Sequence, residues 1–362
     1  MKDLWLNEKE AIMPLSDTKN EIDGIPAAIR DVVLNLTQIR TVGFTLEGIK
    51  KVILIGSGES YIVAKMAEVS AHLYGGIVVK AVQSYDFTAY EEYQATNSET
   101  LIIAITSSGR YSQVIIALEK AVINGFKTIA LVNDATKWSR LIRPTYIVST
   151  LACKLGMPTQ STVCSFIAIL NLLSFLDHQN SLAKKFILEL VDTPKIIESI
   201  LSQTEDFFSD ELLDLMLNST GWTCLGAGYG AFVAETMANL LASGPMIEAN
   251  AMPTEEYNHS LRMFLPQQGK LFFIFDEDTQ VSDLTRSTIK GLLNAGAKVL
   301  LIHKYSMKET FSKSNNLISF KYNADCSLSK EHTSIELMSI AQMITFLMAK
   351  KAVASGLVRG QH

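Results

Sequence analysis

Val52-Ile53-Leu54-Ile55-Gly56-Ser57-Gly58-Glu59-Ser60 is a purely aliphatic run that closes on a glycine, a small hydroxyl and a second glycine. An apolar strand without alternation is the kind buried on both faces of a parallel sheet, and the glycines let the chain turn tightly into a helix. The same construction returns at Thr223-Cys224-Leu225-Gly226-Ala227-Gly228-Tyr229-Gly230, where Gly226 stands 170 positions after Gly56. A second pair of strand-like runs, Glu99 to Ile105 and Gly269 to Phe275, aligns Leu101 with Leu271 at the same spacing of 170. Each is followed by an amphipathic stretch (Val114 to Lys127, Leu284 to Gly296) and another buried strand (Thr128 to Val132, Lys298 to Ile302). Three elements in register imply a duplicated α/β unit, with ligands to be sought at the turns where the copies differ.

The wider composition fits two domains: 362 residues, 48% hydrophobic and 19% charged, provide a large core and argue against disorder. The boundaries read as a helical arm over 1–35, a first domain over 36–180, a helical connection over 181–215 and a second domain over 216–362. The net charge of -5 and the lack of a basic run argue against a nucleic-acid partner. The longest apolar stretch, near Phe166 to Leu176, is about half of a membrane span. A charged stretch from Met1 to Glu10 does not read as a signal peptide. Cys153, Cys164, Cys224 and Cys326 lack CxxC spacing and read as buried, reduced thiols of a cytoplasmic protein, with no metal and no cofactor expected.

The chemistry lies in small hydroxyl residues beyond the carboxyl ends of the predicted strands. In the first copy these are Ser57 and Ser60, then Thr106-Ser107-Ser108-Gly109-Arg110-Tyr111-Ser112, then Gly156-Met157-Pro158-Thr159-Gln160-Ser161-Thr162. Hydroxyls and open backbone N–H groups at a helix start suit a phosphate monoester, although one such turn alone reads equally as a helix cap. The second copy has Asp276-Glu277-Asp278 in place of the Ser/Thr turn, and carboxylates repel phosphate. Phosphate is therefore expected in the first copy alone.

The ordered set GSGES, TSSG and PTQST, then a second glycine turn and Glu255-Glu256-Tyr257-Asn258-His259, resembles the SIS (sugar isomerase) family. Most similar are tandem proteins like the isomerase half of glucosamine-6-phosphate synthase and the fructosamine-6-phosphate deglycases, over about Leu46 to Met348. The resemblance implies two α/β SIS domains, each a parallel sheet flanked by helices in a flavodoxin-like three-layer sandwich. It implies phosphosugar binding by Ser57, Ser60, Thr106, Ser107, Ser108, Ser112, Thr159 and Gln160, with Tyr111 a weaker candidate. It also implies that His259, three residues after Glu256, helps to open the sugar ring, commonly in a neighbouring subunit's site, so that a homodimer or higher homo-oligomer is expected. A histidine suits that step because its ordinary pKa lies near neutrality.

The chain departs from the family's isomerases at one position. Their proton-shuttling glutamate stands sixteen residues before the histidine, where this sequence has Ser243. Glu255 or Glu256 is the expected replacement, with Glu235 and Glu248 nearby. The family's C-terminal lysine is missing from Ser355 to His362, and without an N-terminal nucleophilic cysteine the chain is not expected to be a complete glutamine-dependent synthase. Two readings remain: an enzyme isomerising, deaminating or deglycating a phosphorylated ketose or amino sugar, and a non-catalytic phosphosugar sensor or partner subunit that keeps the pocket and has lost its base. A dinucleotide site is not expected, because the third glycine of GxGxxG is replaced by Tyr61. Trp138 and the strip Tyr85, Phe87, Tyr90, Tyr93 read as core or as a subunit interface.

Overall fold

The computed structural model describes residues 14–41, 47–73, 77–90, 98–176, 181–261, 267–277, 282–304, 314–324 and 328–357. Leu46, Tyr93, Asp278, Cys326 and residues 1–10 and 358–362, all used in the sequence reading, lie outside the described residues. The chain divides into two compact units, each with one sheet. Helix α1 (Leu15–Asp23) groups with the second-sheet unit and α2 (Ile25–Thr41) with the first.

In the first-sheet unit the elements run β1 (Lys51–Gly56), α3 (Glu59–Val69), β2 (Val78–Gln83), α4 (Ser84–Ala89), β3 (Thr100–Ile105), α5 (Gln113–Ile123), β4 (Lys127–Val132), β5 (Tyr146–Ser149), α6 (Gln160–Ser174) and α7 (Ser181–Glu189). All five strands are parallel in the order β2-β1-β3-β4-β5. The aliphatic strands are sealed on both faces. Ile53, Ile55 and Ile102 pack with Phe87 of α4 and Ala117 and Ala121 of α5, and α3, α6 and α2 pack together in their turn. Each of these isoleucines and the phenylalanine contributes about 1.5–3 kcal/mol on leaving water. Helix α5 is shorter than its pattern suggested, because Asn124 and Gly125 (φ 76°) end it at Ile123.

The boundary between units falls near the start of α8 (Thr193–Phe207), after which come α9 (Asp210–Leu217), β6 (Gly221–Gly226), α10 (Tyr229–Ser243) and β7 (Ala249–Pro253). A short turn α11 (Thr254–Glu256) runs into a π-helical turn, Tyr257–Leu261. Then follow β8 (Lys270–Asp276), α12 (Ser282–Asn294), β9 (Lys298–His303), β10 (Leu317–Lys321) and α13 (Lys330–Ala354). Its sheet is again all parallel, in the order β10-β9-β8-β6-β7. The repeat spacing of 170 separates the first residues of β1 and β6, of α3 and α10, of β3 and β8, and of α6 and α13. The two-domain α/β expectation is therefore met strand for strand.

The last helix corrects the sequence reading. The apolar spacing from Ser334 to Val353 predicts a last helix that covers the second sheet; α13 starts earlier, at Lys330, where the Ser329 hydroxyl accepts the His332 N–H (3.4 Å). It is long and apolar enough to cross a membrane, but 78% of that stretch is buried within the fold, which marks a core helix. The aromatic strip divides as well: Phe87 is core and Trp138 half-buried, while Tyr85 and Tyr90 are exposed.

Candidate functional site

In an open parallel sheet the ligand crevice opens at the carboxyl edge, where consecutive strands leave in opposite directions. With β1 between β2 and β3, that switch point lies between β1 and β3. Ile55 pairs with Ala104, so the turns after Gly56 and Ile105 leave adjacent strands, about 4.8 Å apart. Ser57 follows one strand and Thr106-Ser107-Ser108 the other.

Each turn has a physical reason for its shape. A Cβ on Gly56 would stand 2.5 Å from the Ser60 carbonyl carbon and 2.6 Å from the Tyr61 nitrogen, so only glycine lets α3 begin so close to β1. Gly58 (φ 55°) makes the left-handed step into α3. The Ser57 hydroxyl is exposed and shares a hydrogen bond with the Ser84 hydroxyl at 2.5 Å, while Ser60 is half-buried in the first turn of α3. In the second turn Thr106 is buried and its N–H donates to Leu131 (2.9 Å), while the Ser107 carbonyl accepts from Asn133 N–H (2.9 Å). Ser108 is exposed. Its hydroxyl accepts from the backbone N–H (3.2 Å) and Nε (3.3 Å) of Arg110. Arg140 Nε donates to the Gly109 carbonyl (2.8 Å). Ser112 is the exposed N-cap of α5, and Tyr111 is exposed.

The third turn lies at the same carboxyl edge. Buried Thr159 is the N-cap of α6, and Gln160 Oε1 accepts the Cys153 N–H at 2.6 Å. Asn133 and Thr150 tie the ends of β4 and β5 together through Thr150 Oγ1 and Asn133 Oδ1 (3.2 Å). Leu151, half-exposed beside them, holds a left-handed φ of 60° and donates its N–H to the Asn133 carbonyl (2.9 Å). Backbone strain of this kind gathers at ligand sites.

Electrostatics favours the second and third turns for an anion. The first turn of α3 carries Glu59, whereas the first turns of α5 and α6 carry no acidic residue, so their N-terminal dipole ends are unopposed. Arg110 and Arg140 add positive charge beside the second turn. Sequence reasoning gave neither arginine a role, although Arg110 directly follows Ser108-Gly109.

The second-sheet unit fills its equivalent crevice with its own charges. Asp276 and Glu277, where the first copy has Thr106 and Ser107, are both buried. The Glu277 carboxylate occupies the space that a Cβ on Gly228 would need. Beyond β9 and β10, Glu336 Oε2 receives Lys304 Nζ (3.1 Å) and the Tyr322 hydroxyl (3.1 Å), and Glu336 Oε1 lies 3.2 Å from His332 Nδ1. The Tyr229 hydroxyl donates to Glu331 (2.7 Å). The side chains of Lys304, His332 and Glu336 are wholly buried, so this is an internal ion cluster. Nothing in the sequence pattern exposed it, since Lys304 and Tyr322 come from other segments than the i,i+4 pair His332 and Glu336.

His259 sits in the π-helical turn after β7, exposed like Glu255 and Glu256. Such turns recur at functional sites. Tyr257, their buried neighbour, packs edge-on against Phe272 (5.5 Å between centroids), and burial raises its phenol pKa. The Ser243 hydroxyl donates back into its own helix, to Asn239 O (3.0 Å) and Leu240 O (3.4 Å), and supplies no base. Among the described residues no group of three His, Cys, Asp or Glu side chains could hold a metal ion.

Residues 45–173, which hold all three hydroxyl turns, match the SIS domain family. This stretch of the chain is therefore similar to SIS domains. The chain is homologous to glutamine–fructose-6-phosphate aminotransferase (isomerizing) of Thermococcus kodakarensis, 24% identical over 312 residues, which are 82% of this chain and 50% of the relative. This chain thus spans about half the length of that relative. The likeness in fold to solved structures extends over both units. The C-terminal domain of glucosamine-fructose-6-phosphate aminotransferase from Francisella tularensis superposes with a TM-score of 0.76 at 17% identity, covering 94% of this chain and 96% of that one. Glucosamine-6-phosphate deaminase from Thermotoga maritima superposes with a TM-score of 0.68 at 18% identity, covering 94% and 93%.

Proposed function

We propose that this chain is a SIS protein that binds a phosphorylated sugar or amino sugar in the first-sheet crevice and isomerises, deaminates or deglycates it. The observation that carries the reading is that Ser57 and Thr106-Ser107-Ser108 flank the β1/β3 switch point, beside helix starts on α5 and α6 that lack acidic residues. On this reading Thr106, Ser107, Ser108 and Ser112 anchor the phosphate. Ser57, Ser60, Thr159 and Gln160 line the rest of the sugar's bed. Anchoring fixes C1 and C2 of the sugar against an acid–base group, the kind of positioning that lowers a proton-transfer barrier.

His259 opens the ring, and Glu256 or Glu255 on the same turn moves the proton. In a homodimer this turn serves the site of the second copy. Turnover of fructose 6-phosphate, glucosamine 6-phosphate or a fructosamine 6-phosphate by the pure protein, lost in His259→Ala and Glu256→Gln, tests the reading. Binding of all three with turnover of none would reject catalysis.

One observation favours a second reading, a phosphosugar-binding protein without turnover: Ser243 stands where the family's isomerases have their glutamate, and its hydroxyl is bonded within α10. If Ser243→Glu creates isomerase activity in a protein otherwise without it, that reading is favoured.

A further inference from the structure

The connection from β4 to β5 leans on the second ligand turn, and both lie in the first-sheet unit. That connection is pinned at its start, where the Asp134 carboxylate accepts the Thr136 N–H (3.0 Å) and the Ser149 hydroxyl accepts the Ala135 N–H (2.7 Å). Trp138 packs against the core of Ala104, Val114, Leu118, Ala130 and Val132, and its Nε1 donates to the Ile142 carbonyl (3.3 Å). The same indole borders Gly109, where a Cβ would stand 3.3 Å from Trp138 Cε3. Gly109 holds a left-handed φ of 61°, so any side chain there would be both strained and crowded. Two residues beyond the tryptophan, Arg140 reaches back to this turn, and its Nε donates to the Gly109 carbonyl at 2.8 Å.

A guanidinium carries N–H donors on all three nitrogens, and this bond uses only the one on Nε. Among the described residues the other donors of Arg140 have no acceptor, and no carboxylate stands within 4.0 Å of the group. Arg140 is half-buried, and a charge drawn partly out of water without a counter-ion is a cost that a bound anion would offset. The arginine fork matches phosphate oxygens two at a time. We infer that Arg140 is a phosphate-binding residue: Nε fixes the Gly109 carbonyl, and the remaining donors meet the anion held by Thr106, Ser107 and Ser108. The inference rests on the phosphosugar reading of the first-sheet crevice and sharpens it. A site built this way selects its sugar by the charge of the ester and takes no unphosphorylated ketose.

The test is calorimetric titration of the whole chain with fructose 6-phosphate at about 20 mM and about 500 mM NaCl, because salt screens an ion–ion contact and leaves a mere loop brace unaffected. Arg140→Gln removes the charge while keeping an amide donor for Gly109. It should bind about tenfold more weakly at low salt and about threefold more weakly at high salt. Arg140→Lys keeps the charge and loses the fork, so it should lose about threefold and keep the salt dependence of the wild type. Arg143→Gln, at an exposed arginine of the same connection, should change the affinity by less than about twofold at either salt. Unchanged affinity in Arg140→Gln, an equal loss at both salts, or as large an effect of Arg143→Gln would overturn the inference. If Arg140→Gln does not fold, an Arg140→Lys protein that binds as the wild type does would overturn it instead. A wild type that binds neither fructose 6-phosphate nor inorganic phosphate would reject the phosphosugar reading itself, whereas binding that Arg140→Gln leaves unaltered rejects the role of Arg140 alone.

Discussion

The Glu277 carboxylate lies against the Cα of Gly228, in the crevice between β6 and β8. The equivalent crevice of the first sheet is flanked by Ser57 and Ser107, so of the two crevices one is lined by hydroxyls and the other is filled by its own acid, and on the proposed reading only the first takes an anion. Binding should therefore saturate at one phosphosugar per chain. Calorimetry with fructose 6-phosphate checks the stoichiometry, which should remain at one in Glu277→Ala, because buried Asp276 and the Glu331 of the α13 first turn still repel phosphate. Two equivalent sites per chain would contradict this account.

Gly56 and Gly58 should fail differently when changed to alanine. At Gly56 the added methyl meets backbone at 2.5 Å and the helix start must shift, a cost of about 1–3 kcal/mol with the turn itself displaced. At Gly58 a Cβ meets nothing within 4 Å, and only the left-handed φ of 55° is penalised, by about 1–2 kcal/mol. Urea unfolding measures both losses. Ligand affinity should fall much further for Gly56→Ala than for Gly58→Ala.

Lys304 and Glu336 form a wholly buried ion pair. Removing one member strands the other's charge, so Lys304→Met should destabilise the second-sheet unit by about 3–5 kcal/mol. The double variant Lys304→Met/Glu336→Leu should recover a large part of that loss. Thermal unfolding of the single and double variants measures the coupling, and a double variant no better than Lys304→Met would show that Tyr322 and His332 depend on the carboxylate more than the lysine does.

Burial pushes the Cys164 and Cys224 thiols far above their ordinary value of 9.0. Both stay protonated in the folded protein while the unfolded chain ionises near pH 9. Their contribution to stability is thus complete below about pH 9 and declines as the pH rises above it. Denaturant midpoints from pH 8 to 10.5 should fall accordingly, and less steeply in Cys164→Ala/Cys224→Ala. At neutral pH Cys153, exposed where the sequence reading expects a buried thiol, should react with a thiol reagent while these two do not.

Much of the architecture was legible because it is written in local pattern. The runs Val52 to Ile55 and Leu271 to Ile274 could only be two-faced buried strands, and the spacing of 170 predicted the second sheet from the first. The hydroxyl turns were legible too, since the residues that follow the end of an apolar run, Gly56 or Ile105, come at the carboxyl edge. What stayed hidden depends on contacts between distant segments. Glu21 looks like any surface glutamate of an amphipathic helix, and its partners, the N–H groups of Leu155 and Gly156, come 134 and 135 positions later. Likewise, Lys304, Tyr322, His332 and Glu336 read as ordinary polar residues until folding buries them together. The start of α13 was placed four residues late because Glu331, His332 and Thr333 are polar yet buried, contrary to what their composition suggests.

The most direct test of the central claim is a crystal structure of this protein with fructose 6-phosphate. The phosphate should lie within hydrogen-bonding distance of the Thr106–Ser112 turn, with the sugar extending toward Ser57 and Thr159. A phosphate bound at the second sheet's Asp276–Glu277 turn, or a first-sheet crevice left empty at millimolar ligand, would contradict the account.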